Sequence, residues 1–363
     1  MTAPLRLGLV GCGTYGMQMQ RVFAAQQRMG RVHLVALAEP DAARRARAQT
    51  GFDGAVFADA ARMMADCPMD AVLIATPDHL HAPVIDMALH HGLHVLTQKP
   101  LGTDPALATR QVAAFAQAGL ILYVDLHKRF DPAHIRLRHD IASGAFGRLL
   151  YGSVHMEDRI EVPSVWLADW VRQSSPAWFL GVNFFDLVTW VTGLEPARVF
   201  ATGQTGVLAA LGFAGVWDSV QVKVDYVGGM SMHYDLSWVL PAAFPSVVNQ
   251  GIRLVGTAGL AEVDSQDRGY FSATAAAPGS VQANPFGMYD RLDPRFGPVP
   301  DGYLRQAMTG FLNVLEAHRA GIGLADLAGT YPDGASALTS VRLAAAVDQS
   351  LASGRPEPVL PPA

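Results

Sequence analysis

Leu5-Arg6-Leu7-Gly8-Leu9-Val10-Gly11-Cys12-Gly13-Thr14-Tyr15-Gly16 decides the fold. Leu5–Val10 is an apolar run that glycine ends, the mark of a buried strand, and Thr14–Arg28 carries helical periodicity. G-x-G-x-x-G means little alone; between a strand and a helix it has a mechanical reading. Gly11 permits the tight turn, Gly13 lets the backbone approach a pyrophosphate, and Gly16 allows the helix to pack close to the strand. The amides of Thr14 and Tyr15, at the helix N-terminus, offer donors and the positive dipole end. Cys12 reads as a small filler of this loop. The second strand is expected at His33–Glu39 and ends in an acid that would bond a ribose 2′-hydroxyl and repel a 2′-phosphate, which favours NAD over NADP. Arg44 and Arg45, one turn on, are the groups that would instead reach a phosphate.

Outward from this loop, residues 5–129 alternate short apolar strands with amphipathic helices, the grammar of a parallel sheet with crossover helices. Further strands are expected at Ala55–Ala58, Ala71–Thr76, His94–Thr97 and Leu120–Asp125. Helices are expected at Asp41–Gln49, Leu80–His91 and Pro105–Ala118, the last between Asp104-Pro105 and Gly119. After Arg129 the pattern changes. A helix at Pro132–Ala142 and a strand at Leu149–Arg159 lead to an apolar helix at Trp178–Val191. Strands at Val199–Thr202, Ser219–Val227, Met230–Val239, Gly251–Val255 and Ala261–Ser265 then follow one another, with a Gly228-Gly229 turn. The reading is α/β: a dinucleotide-binding domain at 1–129 and an α+β domain with a large, mostly antiparallel sheet at 130–363. Residues 276–300, rich in Pro, Gly and Asn, read as a loop before helices at Tyr303–Arg319 and Ser336–Ala352.

The chain has 363 residues, 50% hydrophobic and 16% charged, which excludes a disordered or low-complexity protein. Net charge is −5 and no run of Lys or Arg exceeds two, so neither nucleic acid nor an anionic membrane is an expected partner. Two cysteines make no disulfide framework and fit a reducing compartment, so a cytoplasmic location is expected, with no membrane span. His79, His81, His90, His91 and His94 crowd together, but Gly92 breaks their helix and no metal site is expected.

Three further segments carry a resemblance. Together with the glycine loop, Ala75-Thr76-Pro77-Asp78-His79-Leu80-His81-Ala82, His94-Val-Leu-Thr-Gln98-Lys99-Pro100-Leu and Lys128-Arg129-Phe130-Asp131-Pro132 resemble the glucose–fructose oxidoreductase / inositol dehydrogenase / MocA (Gfo/Idh/MocA) family. The resemblance implies a Rossmann domain with an open-sheet α/β domain, a nicotinamide cofactor, and oxidation or reduction of a hydroxyl or keto group on a sugar, inositol or relative. It makes Lys99 the active-site lysine of an E-K-P signature and places Thr76, Pro77, His79 and His81 beside the nicotinamide, with Gln98 where the signature glutamate stands. It also implies a helical D-x-x-x-H motif followed by a second Asp. Here Phe179 stands at the Asp position, Asn183 at the His position, and only Asp186 matches.

Lys99 falls just past the fifth strand, at the carboxyl edge where such sheets bind ligands, and a lysine beside a cationic ring is suited to proton transfer. Asn183 hydrogen-bonds a hydroxyl but cannot accept its proton. Phe179, Asn183 and Asp186 share a face at helical spacing. His155, on the strand Leu149–Arg159, is the expected substitute base, with His127 and Arg129 as further substrate-contacting candidates. Trp166, Trp170, Trp178 and Trp190 are divided between sugar stacking and core.

The function expected is NAD-dependent oxidation or reduction of a carbohydrate or polyol, with Lys99 as acid and base. The other reading is an NAD-binding sensor that has lost catalysis. The stripes Val220, Val222, Val224, Tyr226 and Met230, Met232, Tyr234, Leu236 raise the expectation of a homodimer or homotetramer that covers a sheet face.

Overall fold

A computed structural model describes residues 3–264, 270–274, 277–283 and 286–360. The chain forms two compact units, Met1–His127 with Met288–Leu338, and Lys128–Gly287 with Thr339–Ala363.

In chain order the first unit runs β1 (Leu5–Val10), α1 (Thr14–Arg28), β2 (Val32–Ala38), α2 (Ala42–Gln49), β3 (Ala55–Phe57), α3 (Ala60–Asp66), β4 (Ala71–Ile74), α4 (His81–His90), β5 (His94–Gln98), α5 (Pro105–Ala118) and β6 (Leu122–Asp125). The six strands pair in parallel in the order β3-β2-β1-β4-β5-β6, so the chain reverses direction between β1 and β4. That reversal is where doubly wound sheets open a crevice at the carboxyl ends of their strands. Helix α5 starts and stops for local reasons: Asp104 caps the amides of Ala106 and Leu107, Pro105 sits at the first turn, and Gly119 takes the left-handed conformation at φ 68°.

The second unit contains α6 (Pro132–Ala142), β7 (Leu149–Arg159), α7 (Val182–Thr192), β8 (Pro196–Gln204), α8 (Val207–Ala210), β9 (Ser219–Tyr226), β10 (Ser231–Leu240), β11 (Val248–Gly256) and β12 (Leu260–Asp264). These strands form one sheet in the order β12-β11-β7-β10-β9-β8, extended by Glu357–Pro358; the β7–β10 pair is parallel and the others are antiparallel. Val220, Val222 and Val224 pair with Leu236, Tyr234 and Met232, so the two apolar stripes are one face. Phe185 packs edge-on against Tyr234 at 5.0 Å, and α7 with its preceding turn buries that face within the chain. The other face exposes Lys223, His233 and Asp235. The apolar surface that suggested an oligomer is therefore covered without one.

Residues 276–300 depart from the loop expected. β13 (Tyr270–Thr274) pairs with β14 (Ala277–Ala283), and β15 (Tyr289–Asp293) with β16 (Gly297–Asp301). Each is a two-stranded ribbon in which both strands are edges, so Pro298 and Pro300 are tolerated although they cannot donate. Ser265, and residues 276, 284 and 285, lie outside the described residues. The β15–β16 ribbon joins the first unit through the Arg21–Asp290 ion pair. Helix α9 (Tyr303–Arg319) does the same: Tyr123 donates to the Ala307 carbonyl at 2.8 Å and Arg31 pairs with Glu316 at 2.8 Å. After α10 (Leu324–Leu327) and α11 (Gly334–Ser353), Glu357–Pro358 pairs with β8 in the second sheet. The expected boundary at 129/130 thus moves to 127/128, and residues 288–338 return to the first unit because their apolar side chains pack there. Among the described residues no helix is long and apolar enough to cross a membrane.

Candidate active site

The glycine loop behaves as its spacing requires. Gly11 has φ 90°, and a Cβ there would sit 2.6 Å from the Ala75 carbonyl oxygen, while a Cβ on Gly16 would sit 2.0 Å from that of Gly11. At Gly13 a Cβ would meet nothing within 4 Å, and α1 has no side-chain cap on its first turn. The loop and the N-terminal amides at Thr14 and Tyr15 are thus built to receive a group from outside, which suits the pyrophosphate of a dinucleotide.

Glu39 lies just past β2 and is buried. Its Oε2 accepts the Cys12 amide at 2.7 Å and its Oε1 the Asp41 amide at 3.0 Å, so the carboxylate is fixed beside the glycine loop. Arg45 donates to the Glu39 and Pro40 carbonyls at 2.7 and 2.9 Å, which ties it to the turn instead of to an incoming phosphate. Arg47, which the sequence reading passed over, reaches the Cys12 carbonyl at 3.2 Å. Burial and the neighbouring Glu39 charge push the Cys12 thiol up to about 12, which makes it inert filler.

After β4, the Thr76 hydroxyl is buried with no hydrogen-bond partner among the described residues, as suits a group awaiting a ligand. Pro77 and the half-buried His79 follow it. His81 departs from the expected cofactor contact. It is 0% exposed, with Nδ1 2.6 Å from the Pro100 carbonyl oxygen and Nε2 2.9 Å from that of Thr76, so it straps the loop after β4 to the turn after β5.

Lys99 is buried, 8% exposed, immediately beyond the carboxyl end of β5. Its amide donates to Gln98 Oε1 at 3.2 Å, and Gln98 Nε2 donates to Asp125 Oδ2 at 2.9 Å. Tyr15 donates its hydroxyl to the same oxygen at 2.5 Å. Asp125 was not singled out from the sequence, although an acid at the end of the otherwise apolar run Ile121–Leu126 was a visible signal. His127 stacks nearly parallel on Tyr303, centroids 6.1 Å apart.

In the second unit, Ala177–Gly181 forms a π-helical turn leading into α7, a device that often accompanies functional sites. Phe179 packs against Trp170 and Trp238, each at 6.1 Å. Asn183 is buried and donates Nδ2 to the Phe179 and Leu180 carbonyls at 3.2 and 3.1 Å, while its Oδ1 has no hydrogen-bond partner among the described residues. Asp186 accepts two bonds from Arg129, Nε at 2.8 Å and Nη2 at 2.5 Å. The neighbouring Lys128 is buried, donates to Gln250 and lies 4.6 Å from the centre of the Phe184 ring.

His155 is a correction. It pairs in register with Asp235, whereas Met156 pairs with Leu236 on the face that α7 covers. It therefore lies on the face of the sheet away from Asn183 and Asp186 and is not their substitute base. Trp178 donates to Asp348 at 2.6 Å from the core, Trp190 lies under Arg138 at 4.5 Å, and Trp166 is exposed.

A G-x-G-x-x-G turn in the first βαβ unit of a doubly wound parallel sheet, an acid after β2 and a buried lysine after β5 define a nicotinamide-dinucleotide oxidoreductase with a second, sheet-based unit. The comparisons agree. Residues 5–126 match the family model described as "Oxidoreductase family, NAD-binding Rossmann fold", and residues 134–262 match the Gfo/Idh/MocA C-terminal domain. The rhizopine catabolism protein MocA of Rhizobium meliloti is 32% identical over 260 residues, 71% of this chain and 77% of that protein. Inositol 2-dehydrogenase 4 of Saccharopolyspora erythraea is 36% identical over 205 residues, 54% of this chain and 56% of its own length. The crystal structure of GenD2 from gentamicin A biosynthesis in complex with NAD superposes with a TM-score of 0.80 at 22% identity, covering 99% of this chain and 97% of that one. The chain belongs to the Gfo/Idh/MocA family of NAD-binding oxidoreductases.

Proposed function

We propose that the chain is an NAD-dependent dehydrogenase acting on a secondary hydroxyl of an inositol or a closely related cyclic polyol, with Lys99 as acid and base. The observation that carries the reading is Lys99 itself, a buried lysine at the carboxyl end of the parallel sheet, clamped through its amide by Gln98. The names of the inositol 2-dehydrogenases it is similar to support the substrate class.

Gly11, Gly13, Gly16, Thr14 and Tyr15 would hold the pyrophosphate, Glu39 the adenosine ribose, and Thr76, Pro77 and His79 the nicotinamide side. NAD, when bound, supplies the hydride acceptor. Lys99 as the neutral amine takes the hydroxyl proton during oxidation and returns it as ammonium during reduction. Asn183 offers Oδ1 to a hydroxyl donor; having no proton to exchange, it binds and orients. Arg129 and Asp186 neutralise each other and present a polar but uncharged pair.

Reduced-nicotinamide absorbance, followed over a panel of inositols, sugars and their ketones with NAD and NADP at several pH values, tests the reading. Turnover of a cyclic polyol with NAD is expected. A second reading, an NAD-binding protein without turnover, is favoured by Asn183 in place of a base. Tight NAD binding with no absorbance change across the panel would establish it and overturn the first.

A further inference from the structure

Gln98 and Asp125 are register partners on the adjacent parallel strands β5 and β6, so their side chains leave the sheet on the same side. Gln98 is oriented by both of its ends: Oε1 accepts the Lys99 amide and Nε2 donates to Asp125 Oδ2. Tyr15 donates to that oxygen from α1, so two donors from different elements fix one carboxylate oxygen. The other oxygen, Oδ1, is buried and has no hydrogen-bond partner among the described residues, and Asp125 as a whole is 0% exposed. A carboxylate so placed is costly unless a cation answers it. Burial pushes Asp125 up to about 6, while the Lys99 charge and the Tyr15 and Gln98 donors pull it down. The titratable groups facing it are Lys99 after β5 and Tyr15 on α1, with Tyr303 of α9 acting on Tyr15; Lys99 is faced in addition by His81 at the start of α4.

We propose that Asp125 is a positioning residue for Lys99: its carboxylate supplies from β6 the negative charge that Gln98 lacks, and Gln98 and Tyr15 fix where that charge stands. The motif's missing acid is thereby replaced from the neighbouring strand and not lost. An anion in this place favours the ammonium form of Lys99, opposing the burial that favours the neutral amine, and so sets the pH at which Lys99 exchanges its proton. The proposal rests on the reading of Lys99 as acid and base.

The chain has three lysines, Lys99, Lys128 and Lys223, so carbon-13 labelling of lysine gives a spectrum in which Lys99→Ala assigns the Lys99 signal. Titration of the full-length protein without NAD should show the proton affinity of Lys99 falling at least about tenfold in Asp125→Asn. It should return to within about threefold of the parent when Gln98→Glu is added to Asp125→Asn, and the basic limb of kcat should move in step while KM changes less. A Lys99 titration unchanged in a folded Asp125→Asn protein overturns the proposal, as does a double variant that fails to restore it. If Asp125→Asn does not fold, Tyr15→Phe serves: it removes one of the two donors that fix Asp125 Oδ2, so the Lys99 titration should shift, and an unmoved titration in the folded variant overturns the proposal. Parental kcat in Lys99→Ala would sink the acid–base reading alone, since the Lys99 titration decides the role of Asp125 without reference to turnover.

Discussion

Arg129 and Asp186 form a two-point ion pair, Nε to Oδ2 at 2.8 Å and Nη2 to Oδ1 at 2.5 Å, with side chains 10% and 2% exposed. Asp186 is the residue of the helical motif that this chain retains, and it is neutralised by a guanidinium whose planar fork matches a carboxylate. Removing one partner strands the other charge in the interior. Asp186→Asn should lower stability by about 3 kcal/mol in urea unfolding, the usual cost of breaking a buried pair. Arg129→Lys should lose part of that, because an ammonium cannot make both bonds. Parental stability in Asp186→Asn would show the pair to be energetically idle.

The proposed preference for NAD over NADP rests on Glu39. Its carboxylate is held by the Cys12 and Asp41 amides beside the glycine loop, and Arg45 is tied to the Glu39 and Pro40 carbonyls. A 2′-phosphate would meet a fixed negative charge with no help from Arg45. Calorimetry should find NAD bound more tightly than NADP by at least ~1.4 kcal/mol, or tenfold. Glu39→Gln should narrow the gap. Equal binding of the two in the parent would mean that Arg44 or Arg47 governs the site.

Where local chemistry determined an element, the sequence showed it. The glycine loop with α1, and α5 between its Asp104 cap and Gly119, start and stop for reasons written within a few residues. The seven-residue α3 was missed, though its Asp59 cap, which accepts the Arg62 amide at 2.8 Å, was a readable sign. Pro298 and Pro300 hid β16, because a ribbon of two edge strands tolerates what a central strand does not. In the site, alternation along β7 gave His155 and Met156 opposite faces without saying which one α7 would cover. Asp125 became meaningful only through Gln98, 27 residues away on the next strand.

His94 carries a pH dependence of stability. Its Nδ1 accepts the Ile121 amide at 2.9 Å, and its ring meets that of His318 edge-on at 5.6 Å. Burial first, and then the His318 charge, push it down to about 4 from 6.5, with Asp70 opposing. Below pH 6.5 the unfolded chain takes up a proton that the native state refuses until about 4, so stability falls as pH drops through that window. The full loss is on the order of 3 kcal/mol, less in practice because the ring is partly solvated. His94→Gln, which keeps an acceptor and cannot titrate, should flatten the stability difference between pH 6.5 and 4. An unchanged slope would place the acid sensitivity elsewhere.

The chemistry is tested by pairing the lysine that is present with the base that is not. Lys99→Ala should cut kcat at least ~10²-fold, the usual contribution of a positioned acid–base group, and leave NAD affinity nearly unchanged, because its amide bond to Gln98 survives. Asn183 Oδ1 is buried with no hydrogen-bond partner among the described residues; if it accepts from a substrate hydroxyl as proposed, Asn183→Ala should weaken substrate binding by roughly 1–3 kcal/mol with little change in the pH profile. Asn183→His gives the sharper contrast. The Phe179 and Leu180 carbonyls, which now hold Nδ2, can fix one ring nitrogen and leave the other to act as a base. If Lys99 alone serves the parent, this variant should add a limb near pH 6–7 and change the rate by less than about tenfold. His155→Gln should leave every limb in place, since that residue lies on the other face of the sheet. Dehydrogenase activity that appears only in Asn183→His, with none in the parent on any substrate of the panel, would mean that the parent binds NAD and its ligand without turning them over.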